Sequence, residues 1–350
     1  MKKRTHNLSA SLRYDIIVIG ASMGGFHALK ELIGELPSDL PAAVFVVLHI
    51  EPQRESHLAR IFGRDAKISV VTAKDGDSIK HGHVYIAVPD FHLRVENNKV
   101  RLDHGPRHNF HRPAVDTLFS SAAKEFGSRV IGVVLTGALD DGTAGLMDIK
   151  RHGGMTVVQN PDDAVNPSMP ASALDCVPID RCAPLSEMGA LLSGLAGKPV
   201  GATLFKKKEK MPKVSKPELS THICPECNGP MWFVSDGKLL HFHCRIGHAF
   251  SGQSLLVEKS MALESALWSA VNALKDKADI ATKLAIRTGE KNAAGISNGY
   301  FLKQAANSTS YAEIITEILL QENSPVALSV KDSRPRKKPN STDQRKVARQ

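Results

Sequence analysis

The sequence predicts an α/β protein, a doubly wound and mostly parallel sheet of Rossmann-like type, followed by a small cysteine-bearing module and helices. Three observations carry this expectation. Strand and helix patterns alternate over residues 12–195. The strand runs are continuously apolar, as in Ile16-Ile17-Val18-Ile19 and Val44-Phe45-Val46-Val47-Leu48, which marks strands buried on both faces. Four cysteine and histidine positions with paired spacing then fill residues 222–248, after the alternation has ended.

Each element has its own warrant. Strands are expected at 15–19, 43–49, 68–72, 83–88, 130–136 and 155–159, where short apolar runs rich in Val and Ile are bounded by turn residues. Helices are expected at 24–36, 55–63, 114–126, 142–153 and 185–195. The first shows Ala28, Leu29, Leu32, Ile33 and Leu36 at helical spacing. Asn97-Asn98 turns a hairpin between 92–95 and 99–102. Residues 196–221, with Lys206-Lys207-Lys208 and three prolines, read as a linker. A long helix over roughly 253–288 carries Leu256, Leu263, Leu267, Val271, Leu274 and Leu284 near one face, a stripe expected to pack within the chain. A second helix follows at 299–321. The domains are therefore 13–195, a linker 196–221, a cysteine module 222–250, a helical segment 251–323 and a disordered basic tail 324–350.

The chain has 350 residues and a formal net charge of +9. Residues 1–200 carry 22 basic and 22 acidic side chains, and the excess falls in 201–222 and 331–350. A charge held in two polar segments argues against a basic groove on the folded body, and so against nucleic acid as a partner. No apolar run reaches the roughly 18–20 residues of a membrane helix, and Asp15 interrupts the run behind the basic N-terminus. With five cysteines, two of them in a Cys-x-x-Cys pair, a cytoplasmic protein without a disulfide framework is expected.

The sharpest local signal is Gly20-Ala21-Ser22-Met23-Gly24-Gly25. A strand, a glycine-rich turn and a helix place Ser22 at the tip of a corner where backbone N–H groups converge. Gly20-x-Ser22-x-Gly24 has the spacing of a nucleophile elbow. The competing reading is a nucleotide phosphate loop, but the middle glycine of that fingerprint is here Ser22, and the second strand ends in His49 where an acidic residue would be wanted. The strand at 130–136 runs into Gly137-Ala138-Leu139-Asp140-Asp141-Gly142. Three neighbouring strand tips can thus offer a serine, a histidine and a carboxylate, the groups of a nucleophilic triad. One of the two aspartates is expected to do no more than cap the helix that follows.

These blocks resemble the CheB-type chemotaxis methylesterases. So do His83-Val84-Tyr85-Ile86-Ala87-Val88-Pro89-Asp90, the stretch His111-Arg112-Pro113-Ala114-Val115-Asp116-Thr117-Leu118-Phe119, and Gln159-Asn160 followed by Met169-Pro170. The resemblance covers about residues 13–195. It implies hydrolysis of glutamate γ-methyl esters on chemoreceptor helices with release of methanol, and in some relatives deamidation of receptor glutamines. It assigns the catalytic aspartate to Asp141, alongside Ser22 and His49, with no cofactor for catalysis. Oxyanion donors fall on the backbone N–H groups of Met23 and Ala138. Met23 replaces the family's usual threonine and Ala138-Leu139 its Met-Gly, which questions the shape of that loop. Only about a dozen residues precede the domain, so a receiverless form is expected, working with a cognate methyltransferase system.

Cys224-Pro225-Glu226-Cys227 and Cys244-Arg245-Ile246-Gly247-His248 give the spacing Cys-x2-Cys-x16-Cys-x3-His. Two ligand pairs on tight turns, bridged by a hairpin around Asp236-Gly237, read as a zinc ribbon with a closed structural Zn2+ site. The other histidines of the first domain, His81, His83, His92, His104, His108 and His111, are expected to be surface or structural. Arg112 is expected to contact an acidic substrate group or to pair with Asp116. A non-catalytic adaptor, with ribbon and helix binding a signalling partner, is the alternative from a different class.

Overall fold

The computed structural model describes residues 12–50, 56–201, 213–287 and 298–322. The first part of the chain runs β1 (Ile16–Ala21), α1 (Gly25–Glu35), β2 (Ala43–Leu48), α2 (Leu58–Gly63), β3 (Ser69–Thr72), β4 (His83–Ile86), β5 (His92–Glu96), β6 (Lys99–Asp103), α3 (Val115–Phe126), β7 (Val130–Val134), α4 (Thr143–Arg151), β8 (Met155–Gln159), α5 (Ser168–Cys176), β9 (Arg181–Ala183) and α6 (Leu185–Leu195). Seven of these strands form one parallel sheet in the order β3-β4-β2-β1-β7-β8-β9. Successive strands are laid down to one side of β1 and then to the other, so β1, between β2 and β7, is the switch point of the sheet. In such sheets the functional crevice opens beyond the carboxyl ends of the strands on either side of that point.

Alternation along β1 shows why its apolar run is unbroken. Ile17 and Ile19 enter a core with Leu29, Leu32 and Ile33 of α1 and Leu192 of α6, whereas Ile16 and Val18 enter the opposite core with Leu118 and Phe119 of α3 and Leu146 of α4. Both faces are dry, and a polar residue at any of these positions would be buried without water. The hairpin β5–β6 lies outside the main sheet and turns at Asn97 and Asn98, both left-handed with φ of 52° and 56°, as a tight hairpin turn requires.

In this part of the chain the sequence misses one strand and one helix. β9 is only three residues long and starts on Arg181 and Cys182, too short and too polar to read as a strand. Helix α5 follows Pro167 and holds Pro170 in its first turn, where the missing N–H costs nothing, but the prolines hide the helical pattern. Three strands end early: β2 at Leu48, β4 at Ile86 and β7 at Val134. Helix α2 starts at Leu58, and residue 55 of the expected helix lies outside the described residues.

The cysteine module is a four-stranded antiparallel sheet of β10 (Glu218–Ile223), β11 (Pro230–Asp236), β12 (Leu239–Cys244) and β13 (Ala249–Ser251). The expected linker ends sooner than its composition suggests, because residues 218–221 already belong to β10, and the remainder is anchored at both of its described ends. Gly197 donates to Tyr14 O and Val200 to Leu12 O, while Ser215 exchanges hydrogen bonds with Ser235 of β11. Residues 202–212 of that linker, and 324–350 of the expected tail, lie outside the described residues. Helices α7 (Gly252–Arg287) and α8 (Asn298–Glu322) follow. Of the expected α7 stripe, Val271 is buried with Leu267 and Leu274 against Ala312, Ile315 and Leu319 of α8, whereas Leu256, Leu263 and Leu284 are exposed.

Close packing of α3 on β1 leaves no room at Gly20, where an added Cβ would lie 2.2 Å from Val115 Cγ1. Gly20→Ala is expected to destabilise the protein by about 1–3 kcal/mol through overpacking. A thermal melt would show a midpoint several degrees lower, and an unchanged midpoint would contradict this contact.

Candidate active site

Three strand tips converge because their ladders continue past the ends of the regular strands. His49 donates its backbone N–H to Ala21 O, Ser22 to Thr136 O, and Leu135 to Gly20 O. Ser22 is half-buried on the corner between β1 and α1, where Gly24 takes a left-handed φ of 78°. The His49 side chain is 5% exposed, and its Nε2 lies 2.8 Å from Asp141 Oδ2. Its Nδ1 is buried and has no hydrogen-bond partner among the described residues. The Ser22 hydroxyl likewise makes no hydrogen bond there. The structure thus joins His49 to Asp141 directly and holds Ser22 beside them at the end of the neighbouring strand.

Asp141 is buried and saturated with donors. Oδ2 accepts from His49 and from the Val115 N–H (2.7 Å), and Oδ1 accepts from Asn109 Nδ2 (3.1 Å), the Asp116 N–H (3.2 Å) and the Gly142 N–H (3.1 Å). Burial opposes its charge, but the His49 hydrogen bond and charge together with the backbone donors hold its carboxyl well below the usual carboxylate range. Asp116, also at the start of α3, is raised well above that range by burial and by Asp141 beside it. Its Oδ1 accepts the N–H groups of Gly142 (2.9 Å) and Gly145 (2.7 Å), so Asp116 caps α4.

That finding corrects the expected role of the other aspartate. Asp140 gives α4 no side-chain cap, and its Oδ1 instead accepts from Ser251 Oγ (2.6 Å) and Ser254 Oγ (3.4 Å) at the end of the cysteine module. Burial raises its carboxyl above the ordinary value, against the pull of the Ser251 hydrogen bond. Arg112 does not meet Asp116 either. It forks onto Asp90 Oδ1 through Nε (3.0 Å) and Nη2 (2.7 Å) and donates to Gly105 O.

The backbone N–H groups of Met23 and Ala138 are engaged in no hydrogen bond among the described residues. A Cβ added at Gly137 would meet Ser22 Cβ at 2.8 Å and Met169 Sδ at 2.0 Å, so this loop lies directly against the serine. Leu139 has a φ of 61°, a left-handed conformation that favours glycine. The loop therefore keeps the shape that a glycine at 139 would give it, with the strain carried by a leucine.

Two contributors go unrecognised in the sequence. His111 stacks on His49 with ring centroids 3.5 Å apart and planes 11° from parallel. Asn109 donates to Asp141 and also, at 3.0 Å, to Asp116 Oδ2. His111 opens, and Asn109 shortly precedes, a block that was legible by its pattern, but nothing in that pattern says which side chains turn inward. His92 is structural as expected, bonded to Pro106 O and accepting the Ala114 N–H.

In the cysteine module the ligand atoms of Cys224, Cys227, Cys244 and His248 all lie within 4.8 Å of one another. Cys227 Sγ is 3.6 Å from Cys244 Sγ, and His248 Nδ1 is 3.5 Å from Cys244 Sγ and 3.7 Å from Cys224 Sγ. Metal–sulfur bonds of about 2.3 Å in a tetrahedron require ligand separations of about 3.7 Å. Donor set and spacing both fit a closed tetrahedral ion.

A doubly wound parallel sheet that sets a buried histidine–carboxylate pair beside a serine corner has the layout of a hydrolase. The family model for the CheB methylesterases matches residues 17–192, and the chain belongs to that family. The Chromohalobacter salexigens protein-glutamate methylesterase/protein-glutamine glutaminase is 39% identical over 182 residues, covering 51% of each chain. A Leptospira interrogans relative, whose name carries the same two activities provisionally, is 37% identical over 181 residues, 51% of this chain and 94% of that one. The crystal structure of the Thermotoga maritima CheB methylesterase catalytic domain superposes with a TM-score of 0.50 at 36% identity, over 52% of this chain and 98% of that one. No helix among the described residues is long and apolar enough to cross a membrane.

Burial pushes the His108 and His111 imidazoles down to about 4 from 6.5. Between those values the unfolded chain binds protons that the folded chain refuses, so stability falls as pH drops through that window. At 1.36 kcal/mol per pKa unit the loss approaches about 3 kcal/mol for each histidine as a ceiling. Urea unfolding at pH 7, 5.5 and 4.5 checks this, and a flat profile would show both rings open to protons in the folded state.

Proposed function

We propose that this protein hydrolyses glutamate γ-methyl esters on the cytoplasmic helices of methyl-accepting chemoreceptors, or on similarly methylated signalling proteins, through a triad of Ser22, His49 and Asp141. The observation that carries the reading is the buried His49–Asp141 pair, 2.8 Å apart, at the strand tip beside the Ser22 corner, in a chain of the CheB methylesterase family. Such substrates place its action in the cytoplasm. They also require a methyltransferase to supply the ester.

The chemistry follows from the geometry. Asp141 holds Nε2 of His49, so Nδ1 is the ring nitrogen that accepts the Ser22 proton. Ser22 Oγ then forms a bond to the ester carbonyl carbon, and the carbonyl electrons move onto oxygen, where the N–H groups of Met23 and Ala138 receive them. The tetrahedral intermediate collapses with loss of methoxide, which takes the proton from His49 and leaves as methanol. Water, deprotonated by His49, attacks the acyl-enzyme and releases glutamate, and the proton returns to Ser22. Asp141 stabilises the imidazolium in both halves. Burial on a helix N-terminus and saturation with donors keep Asp141 ionised and fixed in place. A second reading, deamidation of receptor glutamine, is favoured by the paired activity in the relatives' names. It needs only ammonia in place of methanol as the leaving group.

Cys224, Cys227, Cys244 and His248 hold one Zn2+ in this reading, supported by their separations. The ion cross-links two turns of a module with a small core and takes no part in the ester chemistry.

Three measurements test these assignments. Methanol release from methylated receptor fragments is expected from the wild-type protein and not from Ser22→Ala, while Asp141→Asn should lose on the order of 10⁴ in rate, as in a comparable triad. Ammonia release from the unmethylated glutamine form reads the second activity. Wild-type turnover in Ser22→Ala would sink the covalent mechanism. Elemental analysis of freshly purified protein should find one zinc per chain, and protein without metal would refute the second assignment.

A further inference from the structure

The cysteine module does not stand apart from the site. Its strand β13 runs parallel to residues 107–109, with Asn109 N–H donating to Ala249 O (2.8 Å) and Ala249 N–H to Arg107 O (3.4 Å). Ser251 N–H donates to Asn109 Oδ1 at 2.8 Å. Ser251 Oγ caps α7 by accepting the Ser254 N–H (3.0 Å) and donates its own proton to Asp140 Oδ1. Apolar packing interlocks the same parts. Leu239 of the module is buried in the core formed by α3, α4 and the sheet, while Phe110 packs into the module's core with its ring 5.3 Å from that of Phe250. Asp236 of the module forms an ion pair with Arg151 at the end of α4.

Asn109 sits where these contacts meet the triad. Its amide nitrogen has two protons, and they go to Asp141 Oδ1 and Asp116 Oδ2. An asparagine amide presents two donors on one side and an acceptor on the other, so its orientation is set by what the oxygen binds. Here the oxygen binds Ser251 N–H, which forces the nitrogen toward the two carboxylates. Without that N–H the carboxylates alone would hold the amide, and nothing would fix its distance and angle to Asp141. The backbone has no preference of its own for this arrangement. Asn109 and Phe110 are both left-handed, with φ of 49° and 69°. A bulky phenylalanine holds that conformation only where its surroundings impose it. One residue further on, His111 stacks on His49.

Taking the triad reading above as its basis, we propose that Asn109 is a positioning residue for Asp141 and that the Cys3His module, through β13, holds it in place. The metal ion is thereby coupled to the reactivity of Ser22, although it lies outside the reaction. The expected linker at 196–221 implies instead that stripping the metal would leave the hydrolase untouched. The contacts of β13 predict the opposite.

The test uses the full-length protein and reads the rate at which a fluorophosphonate labels Ser22, together with kcat and KM for methanol release. Asn109→Ala removes both links. Asn109→Asp keeps the oxygen that accepts from Ser251 but turns the donor facing Asp141 into a second carboxylate oxygen. Both should lower labelling and kcat by about 10–100-fold, as loss of an orienting partner typically does, with KM changed less than about twofold. Metal removal by EDTA, or Cys227→Ser as a second route, should slow labelling of the wild-type chain by a similar factor, and added Zn2+ should reverse the EDTA effect. In Asn109→Ala the same treatment should add little, because both changes act through one link.

Labelling at the wild-type rate in Asn109→Asp would overturn the positioning role. A metal-removal effect of equal size in wild type and Asn109→Ala, or none in wild type by either route, would overturn the coupling. Should Asn109→Ala fail to fold, Asn109→Asp and metal removal carry the test. Wild-type protein that labels at Ser22 yet releases no methanol would defeat the substrate reading alone, and the labelling rates still decide this one. Absence of labelling in wild type would overturn both.

Discussion

The Asp141 carboxylate is the fixed point of this structure. It accepts from five donors, and only His49 among them belongs to the proposed triad. The N–H groups of Val115 and Asp116 are the first two of α3, which would otherwise have no partner, and they bring the positive end of the helix dipole to a buried anion. In return Asp116 serves the first turn of α4, the helix that follows Asp141. Two helices on one face of the sheet thus cap each other crosswise, each through the other's leading carboxylate. A charge this deep is tolerated only because each oxygen is fully occupied. The same saturation leaves Asp141 no freedom to turn away from His49.

Convergence of the site depends on the order of the sheet. Ser22, His49 and Asp141 come from the tips of β1, β2 and the strand β7 on the far side of β1. The alternating pattern and the apolar strand runs made this arrangement legible, because strands buried on both faces leave little else for such a sequence to do. Ser22 and the carboxylate block were legible for a related reason: each is a polar residue at a strand end flanked by glycines. The shape of the 137–140 loop was not. Leu139 at a positive φ is invisible in a sequence, since the local preference of leucine points elsewhere and tertiary packing overrides it.

What escaped the sequence is the set of contacts made across long separations. Asp140 was read as a cap because capping is local, whereas its partners lie more than a hundred residues further along the chain. Arg112 was offered Asp116, four residues away, and takes Asp90 across the β5–β6 hairpin. Asn109 carries no charge and fits no chemical motif. Its importance lies in the partners at the two ends of one amide, and only the fold supplies both. In the cysteine module the convergence of four side chains was legible from spacing, because two short turns bring each pair together locally.

The exchange of Leu239 and Phe110 has a consequence for how the protein is made. At about 5–20 residues per second, a ribosome needs roughly 3–11 seconds to extend the chain from residue 195 to the end of β13. Throughout that interval the sheet and its helices can already be assembled, yet the seat of Leu239 is open and Phe110 has nothing to cover it. The nascent chain therefore passes through a stage with an apolar hole and an apolar plug on one surface, the pairing most prone to engage a neighbouring copy. A newly made molecule is closed to such encounters only when β13 arrives.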